Sequence, residues 1–157
     1  SFKKNNNVHW TMLGAGPDLY KCKALAKDCP NIFFEEKIEY TKLASRIKKA
    51  DLLLGIFGNS NKAGNVIPNK VFQSLASGKT VITRKSNAYP KKLLKLDNGI
   101  IFIEPNNPKA LNNAVLKITE DKRFLTKSNA QAKIIYDTYL SEKIIREQLK
   151  KMLEISS

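Results

Sequence analysis

The chain has 157 residues, 42% of them apolar, and a formal net charge of +14. That length suits one domain, burying roughly 70% of its unfolded surface, and the apolar runs are too short for a bilayer-spanning helix. The charge reads as compositional, because lysines sit on every predicted helix and arginine occurs only at Arg46, Arg84, Arg123 and Arg146. Arginine is the residue suited to bidentate phosphate and base-edge contacts, so nucleic acid is not expected as a partner. Peripheral attraction to an anionic membrane is the functional alternative. The opening Ser1-Phe-Lys-Lys-Asn-Asn-Asn has no apolar run of the kind a leader peptide needs. With no initial methionine, the sequence reads as a piece of a longer protein. Cys22 and Cys29 lack metal-ligand spacing and suit a reduced, cytoplasmic setting.

Strand and helix patterns then alternate. Val8–Leu13 predicts a strand, Gly14-Ala-Gly16-Pro17-Asp18 a turn, and a helix follows to about Asp28. Asn31–Glu35 predicts a second strand and Tyr40–Ala50 a second helix, with Leu43, Ile47 and Ala50 on one face. The unbroken apolar run Asp51–Phe57 predicts a third strand buried on both faces. A Gly- and Asn-rich loop over 57–67 leads to a helix with Pro68 as its first residue and Gly78 just past its end. Thr80–Thr83 and Gly99–Ile103 predict two more strands, and Pro108 starts a helix to about Glu120. Two or more helices close the chain. In the last, Ile145, Leu149, Met152 and Leu153 form an apolar stripe, read as core packing with a partner surface as the alternative. The alternation predicts an α/β fold, a Rossmann-like doubly wound parallel sheet with helices on both faces. Ligands of such sheets sit beyond the carboxyl ends of the strands, where the loops 14–18, 35–39, 57–67 and 84–89 fall.

The segment from Phe57 to Lys79 carries the strongest chemical signal. The first N–H groups of its helix, on Asn69, Lys70 and Val71, have no intrahelical acceptor and favour an anion. The helix dipole contributes ~0.3–1 kcal/mol when exposed and up to ~2 when partly buried. A charge-assisted bond from Lys70 would add on the order of 1.5–3 kcal/mol. Gln73, one turn further in, offers an amide that donates and accepts, suited to vicinal sugar hydroxyls. The plain alternative is a solvated helix start bearing an exposed lysine. Gly14-Ala-Gly16-Pro17 has the placement of a dinucleotide turn but lacks the third glycine, and a tight turn explains it equally. Spacing alone leaves the backbone groups at 35–38 equally suited to holding a nucleobase or no ligand. His9, the only histidine, lies in a predicted strand and reads as a packed or solvent-facing residue, leaving no histidine relay. Trp10, Phe33 and Phe34 read as core. No metal-ligand pattern is present in the sequence. Ser77-Gly78-Lys79-Thr80 has the letters of a Walker tail, but its glycine ends a helix instead of opening one.

Leu13-Gly-Ala-Gly-Pro17, Asn31-Ile-Phe-Phe34, Ala50-Asp-Leu-Leu-Leu54 and Ile67-Pro-Asn-Lys-Val-Phe-Gln-Ser-Leu-Ala-Ser-Gly-Lys-Thr-Val-Ile82 occur in order. Together they resemble the carboxyl-terminal, donor-binding domain of GT-B glycosyltransferases, of the retaining family 4 or group 1 type. The resemblance covers nearly the whole chain as one nucleotide-sugar-binding domain, 1–157, apparently without the first strand. It implies a nucleotide-diphosphate sugar as co-substrate, no cofactor, and transfer of a glycosyl group to a glycan or lipid-linked acceptor in surface polysaccharide biosynthesis. A missing amino-terminal domain would hold the acceptor, and the last helix, from about 141, would pack toward it. The implied donor site comprises Asn69, Lys70 and Val71 on the diphosphate, with the Lys37 backbone at the base and Gly14, Gly16 and Gly58 in the surrounding loops. Lys70 and Asn65 would serve catalysis. The family's E-x7-E pair falls on Asn65 and Gln73; Gln73 would hold the ribose and Asn65 the sugar, both without negative charge. A first-strand Gly-Arg…Lys loop is also absent, and Phe2-Lys3-Lys4 is a poor substitute, so the chain alone is expected to be inactive. A GT-B nucleotide-sugar epimerase and a non-catalytic nucleotide-sugar-binding module are the alternatives.

Overall fold

The computed structural model describes residues 8–96 and 99–155, so the Phe2-Lys3-Lys4 segment lies outside the described residues. The chain divides into two compact units, residues 1–43 and 44–157, with the boundary inside helix α2 (Tyr40–Lys48).

In the first unit, β1 (Trp10–Leu13) and β2 (Ile32–Glu35) pair in parallel, Trp10 opposite Ile32 and Leu13 opposite Glu35. The Trp10 N–H donates to Asn31 O at 2.8 Å, and Asn31 Nδ2 donates to Val8 O at 3.0 Å. The connection is α1 (Leu19–Leu25), a short helix with no buried residue. His9 is exposed and stands edge-on to Phe33, ring centroids 5.6 Å apart. Phe33 is nonetheless 47% exposed, so it is not the core residue that its aromatic character suggests. Strand alternation puts Phe33 on the opposite face from Ile32 and Phe34, which are half-buried.

In the second unit, β3 (Leu53–Leu54), β4 (Val81–Arg84) and β5 (Ile100–Ile103) form a parallel sheet in that order. The core joins Val71 and Leu75 of α4 (Asn69–Ala76), Val81, Ile100, and Ala132 and Ile135 of α6 (Lys122–Ile135). Tyr89, Leu93 and Leu140 complete it. Ile82 faces away from Val81 and is also fully buried, so β4 is covered on both faces, as the doubly wound pattern requires. Helix α5 (Pro108–Glu120) contacts β5 and buries Val115 and Ile118. The chain closes with a π-helical turn at Tyr136–Leu140 and α7 (Glu142–Ile155).

Three expectations change. The third strand is shorter than 51–57 and Leu52, Leu53 and Leu54 are only half-buried, because β3 ends its three-stranded sheet and has one neighbour there. Backbone bonding still runs past it: Gly55 N–H donates to Ile82 O at 2.8 Å, and Arg84 N–H to Ile56 O at 2.9 Å. Pro68 is the residue before α4, with φ −70° and ψ 146°, not its first helical residue. The α7 stripe is no core: Ile145, Leu149, Met152 and Leu153 are 39–70% exposed.

A buried polar cluster pins α6 to the sheet. Ser128, fully buried, accepts from the Gly99 N–H at 2.7 Å and lies 2.8 Å from Thr80 Oγ1. Asn129 Oδ1 accepts from both the Thr80 N–H and its hydroxyl, each at 2.8 Å. Gly99, at φ +78°, has no room for a side chain, since a Cβ would lie 2.6 Å from Ile135 Cδ1 and 3.1 Å from Ala132 N.

Candidate functional site

The sequence-predicted residues fall into the two units, and each set is described by itself. In the second unit the 57–67 loop includes a single helical turn, α3 (Asn61–Gly64), that the sequence pattern did not show. Ser60 caps it, its Oγ accepting from Ala63 N–H at 3.3 Å. Asn65 follows the turn and is exposed, its N–H donating to Lys62 O at 3.2 Å. Ile67 then packs against the core and delivers the chain to Pro68 and α4.

The start of α4 is open. No side chain caps it, and the N–H groups of Asn69 and Lys70 donate to none of the described residues. The Val71 N–H is already engaged, donating to Pro68 O at 2.8 Å, so two amides rather than three are free for an anion. Val71 itself is fully buried, as is Leu75 one turn on. These two anchors fix the helix axis, and with it the direction of its dipole. Lys70 is exposed and makes no ion pair among the described residues. Gln73 is half-buried, and its side-chain amide makes no hydrogen bond among the described residues. Helix α4 ends as predicted: the Gly78 N–H donates to Leu75 O at 3.0 Å with Gly78 at φ +66°.

Gly58 opens the loop. Its Cβ position is empty space, and its carbonyl accepts from Arg84 Nη1 at 2.6 Å. Nothing in local spacing links positions 58 and 84, so the sequence pattern shows Arg84 only as one of four scattered arginines. Burial pushes the nearby Tyr89 phenol above its ordinary range, with the Thr83 side chain opposing the shift; the hydroxyl finds no partner by bond geometry.

In the first unit, Gly14 has φ +127° and nothing within 4 Å of a Cβ, so the glycine is needed for the turn rather than for space. Gly16 is equally open. The two line a shallow hollow of ≈ 330 Å³ with Met12, Pro17 and Cys22. Lys37 is exposed, just beyond β2. Among the described residues no group of three His, Cys, Asp or Glu side chains comes together to hold a metal ion. No helix there is long and apolar enough to cross a membrane.

Solved structures share this architecture. HepE (Alr3699) of Anabaena, crystallised with UDP-glucose, superposes with a TM-score of 0.75 at 14% identity, over 98% of this chain and 42% of HepE. TarM superposes with a TM-score of 0.73 at 16% identity, over 94% of this chain and 29% of its own. The C-terminal domain of a glycosyl transferase group 1 family protein (LpcC) of Francisella tularensis gives 0.61 at 16% identity, over 80% of this chain and 62% of that one. This chain thus spans less than half the length of HepE. No curated protein matches it. The sequence profile of the glycosyl transferases group 1 family matches residues 1–139, and the fold is the Rossmann-like one of GT-B enzymes. The chain belongs to the glycosyl transferases group 1 family.

Proposed function

We propose that this chain is the donor-binding half of a glycosyltransferase, holding a nucleotide-diphosphate sugar while a domain outside this sequence holds the acceptor. The observation that carries the reading is the uncapped start of α4, where two amides and the Lys70 ammonium have no partner among the described residues. HepE, with the same fold, binds UDP-glucose, which favours a uridine nucleotide here. In this reading Asn69 and Lys70 stabilise negative charge growing on the leaving diphosphate. Gln73 contacts the ribose and Asn65 the sugar. Gly58 keeps the mouth of the 57–67 loop clear of a side chain. Val71 contributes by anchoring the helix rather than by donating.

The transfer would retain anomeric configuration, need no metal, and serve surface polysaccharide assembly on the cytoplasmic side of the membrane. The net charge of +14 would favour an anionic lipid surface there. Asn65 and Gln73, neutral where the family has glutamates, favour one second reading, a module that binds nucleotide sugar without turnover. Sugar release or transfer by the whole protein containing this chain separates the two.

Calorimetric titration with UDP, GDP and UDP-glucose tests the site. Lys70→Ala is expected to weaken the diphosphates about tenfold to a hundredfold, the value of one charge-assisted hydrogen bond. Unchanged affinity in that variant would remove the diphosphate from α4.

A further inference from the structure

The loop that carries Gly58 and Asn65 is held at its mouth by successive main-chain oxygens. Phe57 O accepts from the Asn106 N–H at 2.8 Å, and Gly58 O accepts from Arg84 Nη1 at 2.6 Å. Arg84 is the last residue of β4, and its own N–H donates to Ile56 O at 2.9 Å. One residue therefore grips position 56 with its main chain and position 58 with its side chain. Its Nε donates to Lys85 O at 3.1 Å, which fixes the plane of the guanidinium. The same group extends to the far side of the loop: a Cβ on Gly64 would lie 3.5 Å from Nη2. Gly64 immediately precedes Asn65. Among the described residues no carboxylate pairs with Arg84.

We propose that Arg84 is a positioning residue for the donor site, fastening residues 58–65 so that Asn65 and the open amides of α4 are offered in one arrangement. The proposal rests on the donor-binding reading above. A planar fork holds the Gly58 and Lys85 oxygens together, which a single ammonium on a flexible stem does not. A loop already ordered loses less freedom when the ligand arrives.

The test combines UDP and GDP titration, hydrogen exchange of the 58–67 amides without nucleotide, and melting temperature, for the whole protein containing this chain, unaltered and as Arg84→Ala and Arg84→Lys. Arg84→Ala is expected to bind the diphosphates about tenfold more weakly, with exchange in 58–65 about tenfold faster and little change in melting temperature. Arg84→Lys keeps the charge without the fork and is expected to lose most of the same affinity. Full affinity in Arg84→Lys would make Arg84 a simple cation and overturn the positioning role. Unchanged affinity and exchange in Arg84→Ala would overturn it as well, while leaving the donor-binding reading intact. If Arg84→Ala does not fold, Arg84→Lys decides alone. A whole unaltered protein that binds neither nucleotide defeats the donor-binding reading, and this proposal with it.

Discussion

Two connections in this molecule share one plan, a parallel strand followed by a glycine-bearing loop and then a helix. The turn at Gly14–Pro17 leads into α1, which buries no residue and whose preceding Asp18 makes no capping bond. The 57–67 loop leads into α4, which buries Val71, Ser74 and Leu75. Both helices start without a side-chain cap, but only α4 is clamped to a core. A helix dipole helps an anion in proportion to how firmly its amides are held, so anchoring separates the two more than the glycines do.

The contrast is sharpest in stability. Leu75→Ala should cost about 2–5 kcal/mol by opening a cavity in a filled core, whereas Leu25→Ala, at 84% exposure, should cost under about 0.5. Urea unfolding of both variants measures the difference, and equal losses would break the comparison. Next is Ser128→Ala, which strips the buried Gly99 N–H of its acceptor and Thr80 of a partner. A loss of about 1–3 kcal/mol is expected in the same assay. Smaller again is Gly14→Ala, where free space leaves only backbone strain at φ +127°, about 1–2 kcal/mol. Gly58→Ala, with no positive φ and equally free space, is the control and should change stability by less than about 0.5 kcal/mol.

Much of this was legible in the sequence because it is local. The ends of α5, the glycine closing α4 and the order of strands follow from residues a few positions apart. The apolar run at 51–57 identified a strand, yet hydrophobicity alone cannot say whether a strand has neighbours on both sides, and β3 ends its sheet. The α7 stripe shows the same limit: periodicity reveals an apolar face but not what covers it. The Val71 amide was expected to be free because an ideal helix leaves it so; a tighter i to i−3 bond to Pro68 claims it. The contacts that the pattern missed are long-range and polar. Thr80 meets Asn129 across 49 positions, and Arg84 meets Gly58 across 26. No local periodicity encodes such pairs, because either residue is equally at home on a surface.

The gate posts of the 57–67 loop are oxygens of the peptide chain itself, Phe57 O for Asn106 and Gly58 O for Arg84. Every amino acid supplies that oxygen, so both attachments are indifferent to the side chains that the loop displays. Apart from Ser60, which caps the α3 turn, residues 59–63 are therefore open to exchange, by natural drift or by a library, without unhinging the stretch they belong to. A scaffold with that property is suited to diversifying what it recognises while its frame stays constant.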